Sequence, residues 1–324
     1  MQALQLDGWI PIRVTWEDER AVVDWCYLGE QRLTEPFFDQ TVKSCLRHPF
    51  NLLFRKQTSI DALAERYAQV PGLPPTGFIF HTSRCGSTLV AQMLAALPGT
   101  VVLSEAPAID SILRARFRVA DLTDEQRIAW LRWMVSALGQ RRRGDEERLF
   151  IKFDAWSVID LPLIQRAFPD TPWIFLYRNP VEVIVSQLKR RGAHMIPGVL
   201  ESELFGMKFT EVIATRPEEY GARVLKKICE AALQPQARAG RFINYNQLPE
   251  AVWDSLLDFF RVDCTAADRE SLQRVAEVNA KNPAVAFASD SEAKRKTATA
   301  MEHEMAAKWL NAIYQRLEAA RAAG

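Results

Sequence analysis

Two short segments carry residue types that can bind phosphate. The first, HTSRCGSTLV from His81 to Val90, sets small and polar residues between an apolar run and a helix-like one. Backbone N–H groups at such a junction are free to point outward, and a helix N-terminus adds the positive end of its dipole. Ser83, Arg84, Cys85, Gly86, Ser87 and Thr88 form the candidate loop, with Arg84 as a full charge and Ser87 and Thr88 as hydroxyls. The alternative is a tight strand-to-helix turn without chemistry. A Walker-type loop would need lysine after its last glycine, yet Gly86 is followed by Ser87. A cysteine-phosphatase loop would need arginine six positions after Cys85, and that residue is Ala91. Magnesium-dependent triphosphate chemistry and thiol-phosphate chemistry are therefore both disfavoured.

The second segment, RNPVEVIVS, runs from Arg178 to Ser186. Arg178 leaves an apolar run, Asn179 and Pro180 make the turn, and proline suits the first turn of a helix. Ser186, eight residues after Arg178, falls about two turns into that helix, where arginine and hydroxyl can converge on a second phosphate. Taken alone, a surface arginine and a helix serine are the commoner situation. Three more charged residues end apolar runs: Glu105 after TVVLS, and Lys152 and Asp154 at the end of RLFIKFD. A lysine inside such a run needs an anionic partner.

The elements that must position these residues are short apolar strands alternating with amphipathic helices, which is the pattern of a parallel α/β sheet. The strands expected are 77–81, 100–104, 148–153, 172–177 and 241–245. Helices are expected after the first loop, after Thr123 (where Thr123 and Gln126 form a capping box), after Asn179, and as one long C-terminal helix over 298–321. The expectation is a three-layer αβα fold of phosphate-loop type with a central, mostly parallel sheet. Open α/β sheets place their sites at the carboxyl ends of the strands, where all the residues above lie. The PGLPPTG stretch, Pro71 to Gly77, forbids a regular element. It separates residues 1–75, a small elaboration with two strands and two helices packed on the main body, from residues 76–324.

The 324 residues carry 41 Lys plus Arg against 40 Asp plus Glu, a net charge of +1. Such balance excludes a nucleic-acid coat. Five scattered cysteines without a C-x-x-C pair form neither a disulfide framework nor a zinc site. The four histidines do not pair at ligand spacing, so no metal is expected. Neither a membrane helix nor a secretory leader is expected, and a cytoplasmic protein with reduced thiols follows.

Together, SRCGST and RNPVEVIVS, about 90 residues apart and in this order, resemble the sulfotransferases that use 3′-phosphoadenosine 5′-phosphosulfate (PAPS). The resemblance covers roughly residues 76–250 and implies a nucleotide-binding catalytic domain over 76–324. It implies that Ser83, Arg84, Cys85, Gly86, Ser87 and Thr88 hold the 5′ end of the donor, with Cys85 departing from the family's usual serine. Arg178 and Ser186 would hold the 3′-phosphate. Lys152 would stabilise the transferring group, and Arg84, holding the 5′ end, counts among the catalytic residues. Glu105 matches the general base of tyrosylprotein-type members, whereas the phenol and steroid enzymes keep a histidine where this chain has Asp154. Glu105 is the first choice for base and Asp154 the second. The acceptor implied is a hydroxyl or amine of a small molecule or carbohydrate, with no nucleic acid, membrane or metal involved. Lys294, Arg295 and Lys296 stand where family members close over the nucleotide, although the glycines of that segment are missing. The rivals are a phosphate-loop kinase or NTPase, and a non-catalytic nucleotide-binding protein.

Overall fold

The computed structural model describes residues 5–18, 20–234, 240–286 and 290–324. Its centre is a sheet of five parallel strands in the order β5-β6-β4-β7-β8. These are β4 (Pro75–His81), β5 (Thr100–Ser104), β6 (Arg148–Lys152), β7 (Trp173–Tyr177) and β8 (Gly240–Asn244), close to the five expected runs. Side chains alternate between faces along each strand. Phe78 and Phe80 join one apolar cluster while Ile79 joins the other, and on β7 Phe175 and Ile174 divide in the same way. Both clusters are capped by helices, which makes three layers. The helix Ser87–Ala96 lies on one face with Ala266–Ala276, and Asp124–Leu138 and Pro217–Ala232 lie on the other.

The strand order decides where a ligand can go. From β4 the chain crosses to β5 and β6 on one side, and then to β7 and β8 on the other. The loop after β4 therefore opens at the switch point, between the carboxyl ends of β6 and β7, the position at which open α/β sheets bind ligands.

The N-terminal segment forms its own antiparallel sheet, β1 (Trp9–Glu17), β2 (Arg20–Tyr27) and β3 (Lys56–Ser59). Trp9, Ile10, Val23 and Trp25 merge with the larger core cluster. The sequence gives no sign of β3, which alternates half-buried and exposed polar residues. Nor does it show the short hairpin β9 (Val278–Asn279) and β10 (Asn282–Ala286), too brief for any alternation to register. The capping box at Thr123 is present, with Thr123 Oγ1 accepting from Gln126 N at 3.2 Å. The C-terminal helix runs from Ala300 to Ala323 but widens to a π turn over Ala306–Leu310. All five cysteines are free thiols. Among the described residues no helix is long and apolar enough to cross a membrane.

Candidate active site

The loop after β4 is strained. Ser83, Arg84 and Gly86 take φ of +65°, +54° and +85°, and across the sheet edge Glu105 takes +56°. Non-glycine residues rarely hold this conformation, and where they do they cluster at functional sites. At Gly86 a Cβ would come within 2.6 Å of Leu248 Cδ1 and 3.1 Å of Tyr245 Cδ2, so only glycine keeps the loop against its cover. Gly86 then caps the helix Ser87–Ala96, with Ser87 and Thr88 buried in its first turn.

Two side chains outside residues 83–88 hold the loop. His81 Nδ1 accepts from the Ser83 amide at 2.9 Å, which leaves the proton on Nε2, 3.0 Å from the Phe153 carbonyl and 3.5 Å from Glu105 Oε1. Burial lowers the His81 pKa from its usual value. Gln187, fully buried, donates to Ser83 Oγ at 3.0 Å and accepts from the Gly192 amide at 3.0 Å.

On the β5–β6 side, Glu105 and Lys152 meet. Register pairs Ser104 with Lys152, which sets Glu105 beside the lysine. The Lys152 ammonium donates to Glu105 Oε1 and lies 3.4 Å from Ser104 Oγ. Burial works against ionisation of Glu105, but the charge of Lys152 and the hydrogen bond from His81 outweigh it and hold the carboxyl well below its usual range. Asp154 is the opposite case. Burial, then Asp110 and Glu105, push its pKa well up. Phe37, from the N-terminal segment, covers the pair, its ring 5.1 Å from Lys152 Nζ and 5.7 Å from Lys281 Nζ.

On the β7 side, Arg178 is buried. Its Nε donates to Glu182 Oε2 at 2.5 Å, its Nη2 to Asp290 Oδ1 at 2.6 Å and to Ser291 Oγ at 3.0 Å, and its guanidinium lies 3.9 Å over the Tyr245 ring. Glu182 also accepts from Arg295 Nε at 2.8 Å. Between the loop and this arginine opens a cleft of about 250 Å³, lined by Arg84 to Leu89, Arg178, Ser186, Tyr245, Lys281, Asp290 and Lys294 among others. Four of these side chains are cationic and one is acidic. Loss of water and the charges of Arg84 and Lys152 push Lys281 down to about 8. Arg84 turns away from the cleft floor, its Nη2 donating to the Arg190 carbonyl.

The phosphate loop, Arg178 and Ser186 thus line one cleft, with Lys294. Cys85 lines it as a buried thiol that donates to the Leu176 carbonyl at 3.2 Å, with its pKa raised by burial. Arg295 instead pairs with Glu182, and Lys296 with Glu292 on the surface. Sequence analysis missed Gln187, Tyr245, Lys281, Asp290 and Phe37. No motif includes them, although Tyr245 ends an expected strand, Gln187 lies in the helix expected after Asn179, and Phe37 stands beside Pro36 before a helix. It also missed His194, buried against Trp156 at 5.5 Å between ring centroids, with both ring nitrogens unpartnered. Among the described residues no group of three or more His, Cys, Asp or Glu is placed to hold a metal ion.

Fold and site together define an α/β protein of phosphate-loop type with a cationic cleft at its switch point. No family model and no curated protein matches the chain. Among solved structures it is similar to the sulfotransferase domain from the curacin biosynthetic pathway, at 17% identity over 73% of this chain and 98% of that one, with a TM-score of 0.42. It is similar also to a sulfotransferase from Mycobacterium avium (12% identity, 78% and 81% covered, TM-score 0.47). A third is the sulfotransferase domain of the olefin synthase from Synechococcus PCC 7002 (19%, 77% and 95%, TM-score 0.40).

Proposed function

We propose that this protein is a PAPS-dependent sulfotransferase acting on a hydroxyl or amine of a small-molecule or carbohydrate acceptor. One observation carries the proposal. A strained phosphate loop stands at the switch point between two charged constellations, Lys152 with Glu105 on one side and Arg178 with Ser186 on the other. A donor with a phosphosulfate at one end and a 3′-phosphate at the other needs both. The residues fit it: a loop whose glycine leaves no space for a Cβ beside Tyr245, and four cations along an open cleft. The donor supplies a sulfuryl group, which passes to the acceptor as the bisphosphate leaves.

The loop amides with Ser87 and Thr88 orient the 5′ end, and Arg178 with Ser186 and Lys294 holds the 3′-phosphate. Lys152 stabilises the charge that develops on the departing phosphate oxygen. The two carboxyls differ in role because their surroundings push their pKa values apart. Glu105 is ionised and can take the acceptor proton, whereas Asp154 is driven toward its neutral form. Five free thiols fit a cytoplasmic setting.

The test is calorimetric titration with adenosine 3′,5′-bisphosphate, AMP and Mg-ATP. Strong preference for the bisphosphate is expected. Preference for Mg-ATP would transfer the assignment to a kinase or NTPase. Tight bisphosphate binding without turnover of PAPS on phenol, alcohol and amine acceptors would make this a binding protein.

A further inference from the structure

Arg178 already has an anion. Asp290, at the start of the helix Ser291–Thr297, accepts from Arg178 Nη2 at 2.6 Å through Oδ1 and from Lys294 Nζ at 2.6 Å through Oδ2. One carboxylate thus spans both cations on this side of the cleft, which Ser186 lines as well. Ser291 Oγ adds a neutral acceptor at 3.0 Å on the same Arg178 nitrogen.

The two carboxylates on Arg178 are not equivalent. Glu182 is almost fully buried, lies on the same helix turn as the arginine's exit, and is held from its other oxygen by Arg295. It is part of the wall. Asp290 has a half-exposed side chain (51%) and lines the cleft itself. Water reaches the Asp290 end of the pair, so the carboxylate can be solvated when another anion takes its place. Its two cations are the best buried in the cleft, with Arg178 and Lys294 side chains 4% and 10% exposed. Cations this buried without an anion are costly. Asp290 removes that cost when no ligand is bound.

We infer that Asp290 is a built-in competitor for the 3′-phosphate of the donor nucleotide: a tethered carboxylate that neutralises Arg178 and Lys294 in the free protein and must be displaced before a phosphate can take them. The inference rests on the donor site proposed above and assigns it a residue that sets affinity. A ligand with a 3′-phosphate meets the competitor, and a ligand with a plain 3′-hydroxyl does not. The same carboxylate returns to Arg178 as the bisphosphate product leaves, which shortens the product's stay. If Asp290 occupies the cations in nine molecules of ten, the apparent affinity for the phosphate is about tenfold below its intrinsic value.

The experiment compares wild type with Asp290→Asn, which keeps size and one acceptor oxygen but drops the charge, and with Asp290→Ala. Calorimetry with adenosine 3′,5′-bisphosphate and with AMP is the readout, and thermal melting checks that each variant is folded. Both variants are expected to bind the bisphosphate about tenfold more tightly while AMP changes less than twofold. Unchanged or weaker bisphosphate binding overturns the inference and makes Asp290 an organiser of Arg178. Equal tightening for AMP overturns it too, because the effect is then general electrostatics of the cleft. Failure of wild type to bind the bisphosphate counts against the donor site. In that case inorganic pyrophosphate is titrated instead: tighter binding to Asp290→Asn than to wild type upholds the competitor, and equal binding overturns it.

Discussion

Glu105 and Lys152 are joined twice. The Glu105 amide donates to the Lys152 carbonyl at 2.7 Å, and the Lys152 ammonium donates back to Glu105 Oε1. The backbone contact extends the β5–β6 ladder one residue beyond its last strand pair, and there Glu105 takes a positive φ. The carboxylate is thereby presented to the lysine. A buried lysine and a carboxyl held well below its usual range thus meet at the sheet edge.

Lys152→Ala is expected to lower turnover by about 10²–10³, the usual effect of losing a preorganised charge at a developing anion. Affinity for adenosine 3′,5′-bisphosphate should change far less, because Lys152 lies outside the residues that line the cleft beside Arg178. Steady-state kinetics with PAPS against calorimetry on the same variant separates the two. Undiminished turnover would leave Lys152 a structural partner of Glu105 alone.

The two carboxyls can be told apart by amide substitution. Glu105→Gln should cost about 10²–10⁴ in turnover if it is the base. Asp154→Asn should cost little, since Asp154 is already driven toward its neutral, amide-like form. The reverse ranking would make Asp154 the base.

Arg178→Ala should abolish discrimination between adenosine 3′,5′-bisphosphate and AMP. A charge-assisted bond to phosphate is worth roughly 1.5–3 kcal/mol, or about 10- to 100-fold. Equal selectivity before and after would remove the basis for placing the 3′-phosphate at this arginine.

Gly86→Ala combines a φ of +85° with a Cβ 2.6 Å from Leu248 Cδ1. The strain should cost about 1–3 kcal/mol of stability and weaken bisphosphate binding. Unchanged binding and melting would show that the loop does not depend on this contact.

His194 gives a pH signature. Burial, with His81 and Arg84 nearby, pushes its pKa from 6.5 down to about 3. Between these values the unfolded chain carries a proton that the folded one does not, so stability falls as pH drops through this window. His194→Phe should flatten the dependence by about 1.4 kcal/mol per pH unit between about pH 6 and 4, read by urea unfolding. Parallel curves would mean that the ring is charged in the folded protein.

The five central strands were legible because alternating side chains serve the two faces of one sheet, and β-branched and aromatic residues mark them. The phosphate loop and the Arg178 segment were legible because each chemistry is local: a few consecutive residues at a strand-to-helix junction. Glu105, Lys152 and Asp154 stood out as charges ending apolar runs, which a strand tolerates only at its open edge. The chain by itself therefore determined the α/β layering, the two phosphate-binding candidates and the edge on which they lie.

Pairings across the sequence belonged to the tertiary structure. Glu105 lies 47 residues from Lys152, and Arg178 lies 112 from Asp290. Each contact depends on strand order and crossover path, which no local pattern encodes. Phe37 over Lys152, Tyr245 over Arg178 and Gln187 beneath Ser83 belong to the same group. Single residues on unrelated elements acquire a role only when packing brings them to one cleft, and packing is a property of the whole core rather than of any segment.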